Sequence, residues 1–182
     1  GVSTRAAAES AARAGYSVTA FDAFGDRDHH QSVRVVSLPR DLHVPFTASA
    51  AARAAKHVDC EAAAYLSNFE NHPSAVRSLA AGRALWGNGP DVLLRVRDPR
   101  LLNAAMQARG VRVPRLALDV AGTSAAPDAI WLVKPLHSGG GRNIRIWGGG
   151  AMPRGCVLQE FVEGTPASLV FVAAGGRCVP LG

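Results

Sequence analysis

Lys134 and the glycines after it are the residues of this chain best suited to chemistry. An apolar run, Ile130-Trp131-Leu132-Val133, delivers Lys134 and then Pro135, which predicts a lysine at the end of a buried strand where the chain must turn. An ammonium beside Val and Leu is costly without a charge partner, and no Asp or Glu occurs between Asp128 and Glu160. In place of an acid the chain offers Ser138-Gly139-Gly140-Gly141. A glycine run can take positive φ and present N–H groups to a phosphate with no side chains in the way. The 20 basic side chains include only two lysines, Lys56 and Lys134, so lysine here is not the chain's usual way of placing positive charge.

The order of these parts excludes a Walker-type loop, in which the lysine comes after the glycines and opens a helix. Asn143 to Trp147 alternates polar and apolar residues and reads as a returning strand, so the glycine loop joins two antiparallel strands and could close over a ligand as a lid. Gly148-Gly149-Gly150 gives a turn, and Cys156-Val157-Leu158 resumes an apolar strand that runs into Gln159-Glu160-Phe161-Val162-Glu163-Gly164.

These blocks, Val-Lys-Pro with Ser-Gly-Gly-Gly and then Leu-Gln-Glu-Phe-Val-Glu-Gly, resemble the ATP-grasp superfamily of ATP-dependent carboxylate ligases, over most of the chain. The resemblance implies that Lys134 binds the phosphates of ATP, that Ser138, Gly139, Gly140 and Gly141 cover them, and that the backbone of Gln159, Glu160, Phe161 and Val162 holds the adenine. It further implies a ligase joining a carboxylate to an amine through an acyl phosphate, with ATP and Mg2+ as cofactors and a small carboxylate or amino-acid-like substrate. The chain departs from the family pattern in two places. Many members carry an acid for the ribose shortly after the hinge, where this chain reads Thr165-Pro166-Ala167-Ser168. Many also place an Asp-Lys pair ahead of the lid, where Arg97-Asp98-Pro99-Arg100 stands. Arg97 or Arg100 would substitute there, with a geometry unlike that of lysine. The family's metal ligands lie well past the hinge, so the Mg2+ ligands are expected beyond residue 182, and this stretch alone is expected to contact nucleotide without turning it over. A non-catalytic nucleotide-binding or assembly module is the alternative of another class.

Positioning such a site calls for an α/β chain. An Ala-rich helix up to Gly15, capped by Ser3 or Thr4, is followed by strands over Tyr16–Asp22 and Val33–Leu38. A helix over Thr47–Lys56 capped by Thr47, a strand over Glu61–Leu66, a helix over Pro73–Ala81 and a strand over Arg83–Trp86 come next. Strands alternating with helices imply a parallel sheet, and a helix with no leading strand reads as a βαβ unit whose first strand is missing. The loop Ser67–His72 falls at a strand's carboxyl end, where open α/β sheets bind ligands, which makes Asn68, Glu70 and Asn71 candidates for substrate contacts. Helices over Asp91–Val96 and Pro99–Arg109 lead to a boundary between Gly110 and Arg115. Residues 1–112 are thus expected to form a parallel-sheet pre-ATP-grasp-like domain, and residues 113–182 the first part of an α+β antiparallel ATP-grasp lid subdomain. A loop over Val120–Asp128 and a strand pair, Ser168–Ala173 with Cys178–Leu181, complete the reading.

Other classes fit less well. Asp22 lies about 20 residues after Gly1, the spacing of a dinucleotide fingerprint, but Gly-Val-Ser-Thr-Arg-Ala lacks the later glycines. Asp26-Arg27-Asp28-His29-His30 reads as a solvated loop, because adjacent histidines rarely aim at one ion. The formal charge of +6 is scattered, and aromatics make up 6% of the chain, which argues against a nucleic-acid surface. Cys60, Cys156 and Cys178 lack zinc or disulfide spacing, and no apolar run reaches the roughly 20 residues a bilayer needs. A cytoplasmic setting without membrane contact is the expectation.

Overall fold

The computed structural model describes residues 1–26, 28–120 and 128–181. They form a mixed α/β structure with small sheets. Helix α1 (Arg5–Arg13) is followed by strand β1 (Val18–Asp22), which pairs in parallel with β2 (Val33–Ser37). Thr4 stands at the N-cap of α1, but its hydroxyl makes no cap there. It donates instead to Oδ2 of Asp22 at 3.1 Å, while Gly25 N donates to Oδ1 at 2.6 Å. The expected side-chain cap from Ser3 or Thr4 is therefore corrected: Asp22 is 0% exposed, and a buried carboxylate short of partners costs more than an unfilled cap. The same carboxylate alters the loop after β1. The His29 side chain is 4% exposed with Nε2 at 3.8 Å from Oδ2 of Asp22, and Asp28 pairs with Arg5 at 2.7 Å, so the expected solvated loop turns inward at His29. Arg27 lies outside the described residues.

The parallel strands do not form one sheet. β3 (Ala62–Ala64) pairs in parallel with β4 (Ala84–Trp86) as a second two-stranded sheet. Residues 1 and 2 bridge the two pairs at one end: Gly1 N donates to Phe21 O at 3.0 Å, Val2 N to Ser67 O at 2.9 Å, and Ala23 N to Val2 O at 3.1 Å. β3 is three alanines, none of them buried, so the core here is carried by helices. α3 (Ala48–Ala55) is capped as expected by Thr47, whose Oγ1 accepts from Ala50 N at 3.0 Å. It buries its alanines with Val76 and Leu79 of α4 (Pro73–Leu79), with Phe69, and with Leu93 of α5 (Pro90–Val96). Leu38, also in this core, opens α2 (Leu38–Asp41), a turn of helix entered at Ser37 with Pro39 in its first turn. The expected strand over Val33–Leu38 thus stops one residue early, because proline favours a helix start and lacks the N–H a ladder needs.

After α6 (Pro99–Gln107) the chain enters a four-stranded antiparallel sheet of order β5-β8-β6-β7, formed by β5 (Leu116–Ala117), β6 (Trp131–Pro135), β7 (Arg145–Ile146) and β8 (Cys156–Glu160). The sequence pattern does not announce β5. Of the loop expected over Val120–Asp128, residues 121–127 lie outside the described residues. A final hairpin, β9 (Phe171–Ala174) with β10 (Arg177–Pro180), turns at Gly175 and Gly176, whose φ values of 56° and 76° suit a two-residue turn matched to strand twist.

Candidate functional site

The register of β6 against β8 decides which side chains meet. Leu132 lies opposite Gln159, Val133 opposite Leu158 and Lys134 opposite Val157. Alternation along each strand then puts Lys134, Gln159, Leu132 and Val157 on one face, and Val133 and Leu158 on the other. The second face is the apolar one, where Trp131, Val133, Leu158 and Ala117 cluster with Trp147 and Met152. On the first face Lys134 is half-buried, and its Nζ donates to Oε1 of Gln159 at 2.9 Å. That neutral oxygen is the one partner shown for Nζ among the described residues. A lysine Nζ carries three donors, so one bond to an amide oxygen leaves others for an anion.

From Pro135 the chain turns into the glycine loop, and Ser138 Oγ donates to Pro135 O at 3.5 Å. Gly140 and Gly141 have φ of 60° and 73°, while a Cβ at either would meet nothing within 4 Å. Glycine is required there by backbone conformation rather than by space. Arg142 N donates to Gly139 O and Ile144 N to Gly141 O, both at 3.3 Å, and the chain returns as β7 antiparallel to β6.

Residues singled out separately in the sequence come together beside this loop. Arg97, at the C-cap of α5, donates from Nη2 both to Oδ1 of Asn71 and to the carbonyl of Ser138, each at 2.6 Å. Its Nε is buried with no hydrogen-bond partner among the described residues. Oε1 of Glu70 lies 3.6 Å from where a Cβ on Gly139 would stand. Arg100 does not take part: its Nε and Nη2 donate to Asp98 at 3.0 and 2.7 Å, holding that carboxyl down at about 2. The backbone carbonyl of Asn68 accepts from Asn71 N at 3.2 Å.

At the end of β8, neighbouring residues have different partners. Gln159 faces Lys134, whereas Glu160 accepts a two-pronged contact from Arg115, Nε at 2.9 Å and Nη2 at 2.7 Å, with Arg115 N adding 3.0 Å. Glu160 N donates to Arg115 O at 3.0 Å and Phe161 N to Ile130 O at 2.8 Å. Nothing in the sequence singles out Arg115; it reaches Glu160 because Leu116 of β5 is in register with Gln159.

The guanidinium and backbone N–H of Arg115 hold the Glu160 carboxyl at about 2, below its ordinary 4.5. A carboxyl lowered on folding contributes stability that is complete above its unfolded value and is lost as pH falls through its folded value. Glu160→Gln should therefore flatten the acid limb of stability between pH 4.5 and about 2 relative to the parent. Thermal melts of both at stepped pH check this, and identical slopes would deny the pair a role in the native state.

Among the described residues no helix is long and apolar enough to cross a membrane, and no group of three or more His, Cys, Asp or Glu is placed to hold a metal ion. No family model and no curated protein matches the chain. Among solved structures it is similar to the biotin carboxylase subunit of pyruvate carboxylase, with a TM-score of 0.43 and 16% identity over 84% of this chain and 40% of that one. It is similar also to the biotin carboxylase domain of a thermophilic 2-oxoglutarate carboxylase bound to ADP without magnesium, with a TM-score of 0.43 and 18% identity over 82% of this chain and 40% of that one. The chain thus spans 40% of the length of each of these structures.

Proposed function

We propose that this chain binds ATP through Lys134 and the glycine loop, as part of an ATP-grasp ligase that joins a carboxylate to an amine through an acyl phosphate. In this reading residues 1–112 form its leading α/β part, and residues 113–182 begin the nucleotide-binding part. The observation that carries the reading is the state of Lys134, an ammonium half-buried at the mouth of a glycine loop and held by a neutral amide oxygen. Arg97 adds a second cation at the same loop, its Nε without a partner among the described residues. Half-buried cations without carboxylate partners fit a polyanionic ligand.

When bound, ATP would supply the phosphoryl group that activates the carboxylate. Lys134 and Arg97 would neutralise its phosphates, and the backbone of Ser138 to Gly141 would cover them and exclude water. At the hinge, Glu160 N and Phe161 N already have partners within the chain. Val162, 61% exposed, is the next position, and its N–H has no partner among the described residues, so it would take the adenine edge. Leu132 and Val157, on the lysine's face, would line the base. Asn68, Glu70 and Asn71 would meet the small carboxylate or amino-acid-like substrate. Among the described residues no group of three or more His, Cys, Asp or Glu is placed to hold Mg2+.

Titrating ATP and, separately, a random single-stranded oligonucleotide at about 50 and 200 mM salt tests this reading, because binding to a phosphate backbone falls by orders of magnitude over that range. The expected result is ATP binding that weakens less than about tenfold with salt, and no oligonucleotide binding at the higher salt. Oligonucleotide binding without ATP binding would replace the reading by a charge-driven nucleic-acid contact.

A further inference from the structure

We propose that Asn71 is a positioning residue: its Oδ1 holds the Arg97 guanidinium on the carbonyl of Ser138, and this latch fixes the glycine loop against the segment after β3. Both bonds leave one nitrogen, Nη2, at 2.6 Å each. An arginine Nη carries two hydrogens, so each acceptor takes its own. Both ends of the latch are anchored. Arg97 N donates to Leu93 O at 3.0 Å, and Leu93 is 3% exposed. Asn71 closes a turn of 3-10 helix that begins at Phe69, 2% exposed in the helical core.

Among the described residues the glycine loop has no comparable anchor of its own: beyond Ser138 it carries three glycines, and the one atom of those residues within 4 Å of any of their absent side chains is Oε1 of Glu70. A segment with so little packing opens easily unless something outside it holds it. The Arg97 bond to Ser138 O spans 41 residues of sequence, and the Asn71 bond spans 26. The latch therefore joins three distant segments at the place where the proposed nucleotide and substrate contacts meet. Only the acceptor oxygen of Asn71 is needed for it.

Hydrogen exchange at Arg142 N and Ile144 N, which donate across the loop to Gly139 O and Gly141 O, reads the latch directly. Asn71→Ala removes the acceptor and should speed exchange there about tenfold, the scale of losing one charge-assisted hydrogen bond. Asn71→Asp keeps an oxygen in place and should leave exchange within about twofold of the parent. ATP affinity in the same variants rests on the proposed function and should part from exchange. Asn71→Asp gives Arg97 a counter-charge and should weaken ATP about tenfold while the loop stays protected. Unchanged exchange in Asn71→Ala, a rise spread equally over α3 and α4, or no rescue by Asp would overturn the latch. Absence of ATP binding by the parent would overturn the nucleotide reading alone, since the exchange measurement needs no ligand.

Discussion

Lys134→Met should weaken ATP binding by roughly 10- to 100-fold and leave the melting temperature nearly unchanged, because a hydrogen bond to a charged group contributes about 1.5–3 kcal/mol. The two halves of this result have separate causes. Affinity falls because the proposed site loses the cation at the end of β6, and methionine offers no donor in its place. Stability persists because Lys134 points to the half-buried face of the sheet, away from the cluster of Trp131, Val133 and Leu158, and its one partner among the described residues, Gln159, is a neutral amide that water can satisfy. Lys134→Arg should recover part of the affinity, since the charge returns with a longer, planar head that cannot occupy the same point. Titration of each variant, with thermal melts alongside, measures both halves. Parental ATP affinity in Lys134→Met would remove the lysine from the site.

Those parts of the chain that punctuate themselves are legible from residue order alone. β6 and β8 are apolar runs ended by Pro135 and by the mixed hinge, and the loop between β6 and β7 announces itself by its glycines. Thr47, with alanines behind it, is a cap at the head of a helix, and it caps as expected. The features that escape are long-range. β5 has two residues, too few for any alternation to show, and exists because β8 offers it a partner. The pairing of Arg115 with Glu160 comes from that register and from nothing near either residue. Thr4 has the chemistry of a cap, but a buried carboxylate 18 residues away competes for its hydroxyl. Arg97 and Asn71 are each visible as polar residues at element ends, yet nothing in their spacing says that Asn71 and Ser138 share the Arg97 guanidinium. The single parallel sheet fails for a related reason: alternation of strands and helices says that strands run parallel, not that Ala62–Ala64 is hydrogen-bonded to β1.

The register of β6 against β8 is what places Lys134 beside Gln159, and two adjacent substitutions test it with opposite outcomes. Leu158 is 0% exposed at the centre of the sheet's apolar face, next to Ala117 on one side and Val133 on the other. Truncating such a leucine to alanine costs about 2–5 kcal/mol, because the removed methyl groups leave a cavity that neighbouring strands cannot fully close. At roughly 2–4 °C per kcal/mol for a chain of this size, Leu158→Ala should lower the melting temperature by roughly 5–15 °C. Gln159→Ala changes the next residue, on the opposite face, where the side chain is half-buried and, among the described residues, bonded only to Lys134. It should move the melting point by no more than about 2 °C, since it removes one modest hydrogen bond and no core packing. A slip of one residue would exchange the two faces entirely. If Gln159→Ala proved as damaging as Leu158→Ala, or if Leu158→Ala melted like the parent, the face that carries Lys134 would be the core face and the phosphate site could not be where it is placed.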